Sequence, residues 1–282
     1  MERERLELQG AAMTRLFHDR LFFAPLSKNH PPQYILDIGT GTGDWAIHMG
    51  DVFPTSQVIG TDLSPIQPDI VPPNVNFYIE DSSEPWFYSH SFDYIHTRVT
   101  TGSWANFKTQ VADQAYEALS PGGWFESQEF DCLLTSDDGT LRPDSAMSRW
   151  MHDMLNAAQV SDRPFMMAAH VKQAYLEAGF VDVHERVFKM PINPWPKDER
   201  LKELGRMWHR NMTQGLSGFS VWLFNRVYDR SPEETEVMLV DVRREMSDMY
   251  IHAYMPIHVV WGRKPYPHEI VVRNEANPGQ AT

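Results

Sequence analysis

The sequence predicts an α/β fold built on a mostly parallel, doubly wound sheet. Three observations carry that reading. Short apolar runs alternate with helical patterns between residues 31 and 130, a glycine cluster follows the first run, and carboxylates recur just past the ends of later ones. The predicted strands are Tyr34 to Ile38, Gln57 to Thr61, Asn74 to Ile79, Phe92 to His96 and Gly123 to Ser127. Val111, Ala115, Ala118 and Leu119 fall at helical spacing, and Ser120-Pro-Gly-Gly123 stops that helix. Val171, Ala174, Tyr175 and Ala178 mark a second helix, closed by Gly179 and followed by a strand over Val181 to Val187. Pro191, Pro194 and Pro196 then break the chain, residues 198 to 250 read mostly as helical, and Ile257 to Trp261 is the last strand.

This grammar divides the chain into an N-terminal cap helix within 1–30, a core of 31–190 with 251–265, a helical insertion over 191–250 forming part of a ligand pocket, and a weakly ordered tail, 266–282. With 282 residues, 42% of them hydrophobic, the chain can bury a large core without staples, and its single cysteine, Cys132, rules out an internal disulfide. The net charge of −13 argues against nucleic acid or an anionic membrane surface as main partner. The N-terminus lacks the apolar segment of a signal peptide, and no apolar run approaches the ~18 residues of a membrane span. A soluble cytoplasmic protein is expected. Residues 31–130 hold thirteen acids against two bases, which suits either a solvated acidic face or a site for a cationic ligand.

The strongest motif is Ile35-Leu-Asp-Ile-Gly-Thr-Gly-Thr-Gly-Asp-Trp45. Gly39, Gly41 and Gly43 let the backbone turn sharply and approach a ligand where a Cβ would collide with it. A dinucleotide fingerprint would need glycine at position 44. Asp44 stands there instead, and its charge opposes a pyrophosphate at the helix N-terminus. No Gly-Lys-Ser/Thr follows, so a nucleotide-triphosphate loop is excluded as well. With Asp37 two residues before the first glycine, the spelling suits a ligand that presents an ammonium and a sulfonium, namely S-adenosylmethionine. Asp62 ends the second strand, where a carboxylate can accept both ribose hydroxyls; Asp81 and Ser82 follow the third, beside the expected adenine; Thr97 and Arg98 close the fourth at the pocket mouth. Asp62 or Asp81 alone reads as a turn or cap residue. Their recurrence after successive strands points to the cofactor.

These residues resemble the class I S-adenosylmethionine-dependent methyltransferases, and more narrowly the fungal LaeA-like methyltransferases of secondary metabolism. The narrower resemblance rests on the glycine motif, on Val58-Ile-Gly-Thr-Asp-Leu-Ser-Pro-Ile-Gln-Pro68, on Pro72-Pro-Asn-Val75, Phe92-Asp-Tyr-Ile-His96, Leu119-Ser-Pro-Gly-Gly-Trp-Phe-Glu126 and Trp261-Gly-Arg-Lys-Pro265, and on the leader Glu4-Arg-Leu-Glu-Leu-Gln9. It spans about Glu4 to Pro265, dense to Phe130 and sparse from 135 to 250. It implies a Rossmann-like, seven-stranded sheet with the last strand antiparallel, and a cofactor held by Asp37, Gly39, Gly41, Asp62, Leu63 and Asp81. The family includes enzymes acting on small metabolites and regulators whose acceptor is obscure. Only about thirty residues precede the first strand here, which departs from the regulators' long basic extension.

Methyl transfer asks a protein to align acceptor and methyl, exclude water and sometimes remove a proton. Leu6, Gly10, Met13 and Phe17 form a leader stripe that packs on the core or lies across the cofactor mouth. Candidate catalytic residues are His18 at the end of that stripe, Glu129 beside Gln128 after the fifth strand, and Arg98, as an anchor for an acidic group or as a simple ion-pair partner. Met147, Trp150, Met151 and Met154, with Phe165 to Met167 and later Met207, Trp208, Met212, Phe219, Trp222 and Phe224, suit either core or a pliable pocket for a flat apolar acceptor. His252 and His258 could share a strand face but lack further ligands, so no metal site is expected; Gly215-Leu-Ser-Gly218 misses the hydrolase elbow. The expected activity is methyl transfer to a heteroatom, oxygen first, of a small hydrophobic secondary metabolite. The alternatives are a LaeA-like regulator working through protein partners, which could be nuclear, and a cofactor-bound pericyclase-type enzyme that does not methylate.

Overall fold

The computed structural model describes residues 2–165 and 167–269. Seven strands form one sheet in the order β3-β2-β1-β4-β5-β7-β6: β1 (Tyr34–Ile38), β2 (Gln57–Asp62), β3 (Val75–Ile79), β4 (Phe92–Arg98), β5 (Leu119–Phe130), β6 (Val181–Pro191) and β7 (Tyr254–Arg263). Strands β1 to β5 pair in parallel, and β7 runs antiparallel to both β5 and β6, as expected. The strand order reverses between β1 and β4, where open α/β sheets hold ligands beyond the strand carboxyl ends.

Helix α2 (Asp44–Val52) packs Trp45, Ala46 and Met49 on one face of the sheet; α3 (Asp113–Ala118), entered through a π-helical turn at Lys108–Ala112, and α5 (Ala168–Ala178) cover the other. A third apolar cluster joins α1 (Glu2–Leu16), α4 (Ala146–Val160), α6 (Glu199–Tyr228) and α7 (Pro232–Met246) to the ends of β5 and β7. Residue type sets where these helices start. Ser145 accepts from the Ser148 N–H, Asp198 from that of Leu201, and Ser231 with Glu234 forms a capping box behind Pro232. At thirty residues, α6 spans roughly 45 Å, enough to pack against both α1 and α7.

Three local expectations change. The leader helix stops at Leu16, because His18 and Asp19 take positive φ; residues 17–33 then continue without helix. Leu119 opens β5 rather than closing a helix: Ser120-Pro-Gly-Gly123 is an excursion between the Phe92–Leu119 and Tyr94–Trp124 pairings. His252 precedes β7 and bonds Asp138, whereas His258 lies within it and bonds Glu185, so the two share no face. From residue 270 on, the expected tail lies outside the described residues.

Candidate active site

The glycine loop is shaped by backbone that only glycine tolerates cheaply. Gly39, Gly41 and Gly43 have φ of +67°, +58° and +82°. A Cβ on Gly43 would run into the Phe77 ring of β3, whereas one on Gly41 would enter open space. Both sides of the Gly41 peptide are held from the Thr61-Asp-Leu-Ser-Pro-Ile-Gln67 run: its N–H donates to Asp62 Oδ2 at 2.8 Å, and its carbonyl accepts from Gln67 Nε2 at 2.7 Å. Asp62 Oδ1 accepts the Ser64 N–H. That run therefore sets the loop's shape from the neighbouring strand.

Below the loop, the register aligns Asp37, His96 and Glu126 on three adjacent strands. Asp37 accepts from Thr40 Oγ1 at 2.6 Å and bonds His96 Nδ1 at 2.8 Å; His96 is fully buried and stacks on Trp45 with centroids 3.7 Å apart. Burial pushes the Glu126 carboxyl up, against the opposing pull of His96 and of its donors. Those donors are the Phe23 and Ala24 N–H groups and Gln128. The row thus ties the glycine loop to the segment that follows α1.

Two cavities meet above these strands. One, of about 230 Å³, lies between the glycine loop, Asp62 and α1, where Leu6, Gly10 and Met13 form its roof, so the leader stripe does cross this mouth. The other, of about 240 Å³, lies between α1, α4 and α6 and is lined by Trp150, Met151, Met154, Trp208, Met212 and Phe219 among others. Leu6, Gln9 and Val99 belong to both. Val99 has φ +56°, costly for a β-branched residue. Glu129 holds the chain there: fully buried, it accepts from the Thr100 N–H at 2.8 Å and from Thr100 Oγ1 at 2.6 Å. Burial raises its pKa to about 7, although these bonds favour the carboxylate.

Glu129 is therefore a brace for the junction and lines neither cavity. His18 is exposed past the end of α1 and reaches neither. Thr97 is also not at the mouth, since it is fully buried and donates to Ser127 Oγ within the sheet. Arg98 does reach the first cavity, beneath Gly10. It forms no ion pair among the described residues, its bond being a long one to Thr14 Oγ1, and burial lowers its pKa. Leu63 is 66% exposed at the end of β2; Asp81 is exposed, with Oδ1 accepting from Ser83, which lowers its pKa; Ser82 Oγ accepts from Trp104. Sequence reasoning missed His96, Arg5 and Asn211. Only the pairing of β1 with β4 identifies the first, and only the docking of α1 on α6 the others.

A methyltransferase-domain family model matches residues 8–185. The methyltransferase pytC of Aspergillus terreus is 42% identical over 266 residues, covering 94% of this chain and 81% of that protein. The chain belongs to the methyltransferase family. It is similar also to the probable methyltransferase tdiE of Emericella nidulans, at 34% identity over 94% of this chain and 82% of that one, and to the protein-methionine methyltransferase laeA of the same organism, at 32% over 94% and 70%. Phosphoethanolamine N-methyltransferase 2 of Haemonchus contortus, solved with S-adenosylhomocysteine, shares the fold at 18% identity and a TM-score of 0.52; the match covers 91% of this chain and 53% of that one. The enzyme is thus an S-adenosylmethionine-dependent methyltransferase related to those of fungal secondary metabolism. Its residues fit that cofactor: the open space over Gly41 admits a ligand against bare backbone, and Asp37 and Asp62 place carboxylates beside it. No described helix is long and apolar enough to cross a membrane.

Proposed function

We propose that the enzyme methylates an oxygen of a small, flat, hydrophobic metabolite. The observation that carries this reading is the junction at Val99, where an apolar cavity walled by methionine and tryptophan opens beside the glycine loop. When bound, S-adenosylmethionine supplies a methyl group on a positively charged sulfur. The chain's residues bind and orient. Gly39, Gly41 and Gly43 present backbone; Asp62 accepts from the ribose hydroxyls; Leu63, Ser82 and the second oxygen of Asp81 flank the adenine; Arg98 pairs with the amino-acid carboxylate, and buried Asp37 favours the cationic end. Helix α1 roofs both cavities and excludes water.

Calorimetry with S-adenosylhomocysteine tests the cofactor assignments. Asp62→Ala should weaken binding roughly 10- to 100-fold, as expected for losing hydrogen bonds to a charged group. Unchanged affinity would overturn the assignment. Incubation with a methyl-labelled cofactor and a fungal metabolite extract should then label a small molecule.

A second reading is favoured by Met151, Met154, Met212 and Met255 in the apolar wall, together with the relative named for protein-methionine methylation. It predicts that label appears on a methionine of a protein and that small molecules stay unlabelled.

A further inference from the structure

We propose that Arg5 makes the apolar cavity selective for an acceptor whose reacting group is an oxyanion: an enolised 1,3-dicarbonyl, an acidic phenol or a carboxylate. The inference rests on reading this cavity as the acceptor site. Arg5 lines it, is only 5% exposed and lies over the Phe219 ring. Its Nη1 donates to Asn211 Oδ1 at 2.8 Å and to Gln9 Oε1 at 3.0 Å, and Gln9 belongs to the shared wall between the cavities. Nε and Nη2 donate to the Glu2 carboxylate, which occupies four of the five N–H positions in all and leaves one on Nη2. Asn211, 1% exposed on α6, holds the guanidinium in place from the other side.

Arg5 is the one charged residue of the described lining, and its counter-charge, Glu2, pairs with it one for one from outside that lining. Glu2 is 67% exposed, so water screens it in part and it offsets only some of the guanidinium's field on the cavity side, where Arg5 faces aromatic and methionine side chains. A buried cation in such surroundings favours an anionic guest and opposes a cationic one. The other polar groups of the described lining are poorly suited to take a proton. Thr101 donates to Glu129 and to the Phe130 carbonyl, Asn211 and Gln9 are amides, and burial pushes the Cys132 thiol up, so it stays protonated. An acceptor that has already given its proton to water needs none of them. Its oxygen forms the new O–C bond with its own electron pair, and the pair of the breaking S–C bond stays on sulfur. Oxyanion and sulfonium are both neutralised, leaving no proton to remove. An amine acceptor would instead build an ammonium beside Arg5.

Binding tests this without turnover. In protein saturated with S-adenosylhomocysteine, 2-naphthoate should bind at least tenfold more tightly than 2-naphthylmethylamine, which has the same ring system. Glu2→Gln, at an exposed position, removes the screened counter-charge and should widen that ratio several-fold; Arg5→Met should abolish it, and Arg5→Lys should keep part of it. Equal binding, amine preference or a ratio unmoved by Glu2→Gln overturns the proposal. Failure of S-adenosylhomocysteine itself to bind would instead overturn the cofactor reading beneath it.

Discussion

The two cavities that meet at Val99 are built by different means. The first is made largely of backbone and short polar side chains at the ends of β1, β2 and β4: three positive-φ glycines, a peptide gripped by Asp62 and Gln67, and Thr40 on Asp37. The second is made of long side chains from segments as distant as Arg5, Trp150, Trp208 and Met255. A backbone-built site tolerates almost no added atom. A side-chain-built site can be recut residue by residue while its neighbour keeps its shape, which suits a scaffold with one cofactor and changeable acceptors.

The largest expected effect tests whether the two are separable. Trp150 lies between the second cavity and an outer groove along α4, and donates to Ser220 Oγ at 2.8 Å. Trp150→Ala should cost about 3–5 kcal/mol of stability and merge cavity with groove, admitting bulkier acceptors. Affinity for S-adenosylhomocysteine should stay within about twofold of the parent, because Trp150 does not line the first cavity. A large loss of that affinity in calorimetry would break the comparison.

The reciprocal experiment adds a single methyl to the other side. Gly43→Ala combines the cost of a left-handed residue, about 1–2 kcal/mol, with overpacking against Phe77, a further ~1–3 kcal/mol. Thermal or urea unfolding should register both. Gly41→Ala meets no protein atom, so it should lose only the backbone term yet weaken cofactor binding, because its methyl occupies the open space. If the two variants lost stability equally, the cradle would not be open in solution.

This contrast also explains what the sequence revealed. The positions of the early strands, the glycine loop and Asp62 follow from local grammar, since a turn's φ angles and a strand's carboxyl end are properties of short segments. Leu6, Gly10 and Met13 were legible as a stripe, although their place over the mouth needed the docking of α1. Glu129 misled for the same reason in reverse: its position near the carboxyl end of β5 fits a catalytic carboxylate, but it faces inward onto a loop with a strained Val99, which no pattern announces. Thr97 failed because alternate strand residues point to opposite faces, and its side chain points to Ser127. Arg5 was one charge among several in the leader; only its bond to Asn211, 206 residues away, distinguishes it.

The smallest effect concerns the junction. Glu129 has a folded-state pKa of about 7, above its unfolded value, so the folded protein binds this proton more tightly than the unfolded chain does. Stability from this group is therefore fully present below the unfolded carboxylate range and lost as pH rises through 7, amounting to roughly 1–2 kcal/mol between pH 6 and pH 8. Glu129→Gln cannot titrate, so its unfolding free energy should lack that increment when the two proteins are compared at both pH values. The function should move the opposite way: the ionised carboxylate accepts from Thr100 through both oxygens, whereas an amide turns an N–H toward one of those donors. Val99 then loses its brace, and kcat should fall at pH 8 while cofactor affinity changes little. Parallel pH dependences of stability in the two proteins would mean that this carboxyl titrates in its ordinary range, and an unchanged kcat at pH 8 would mean that another group holds the strained turn.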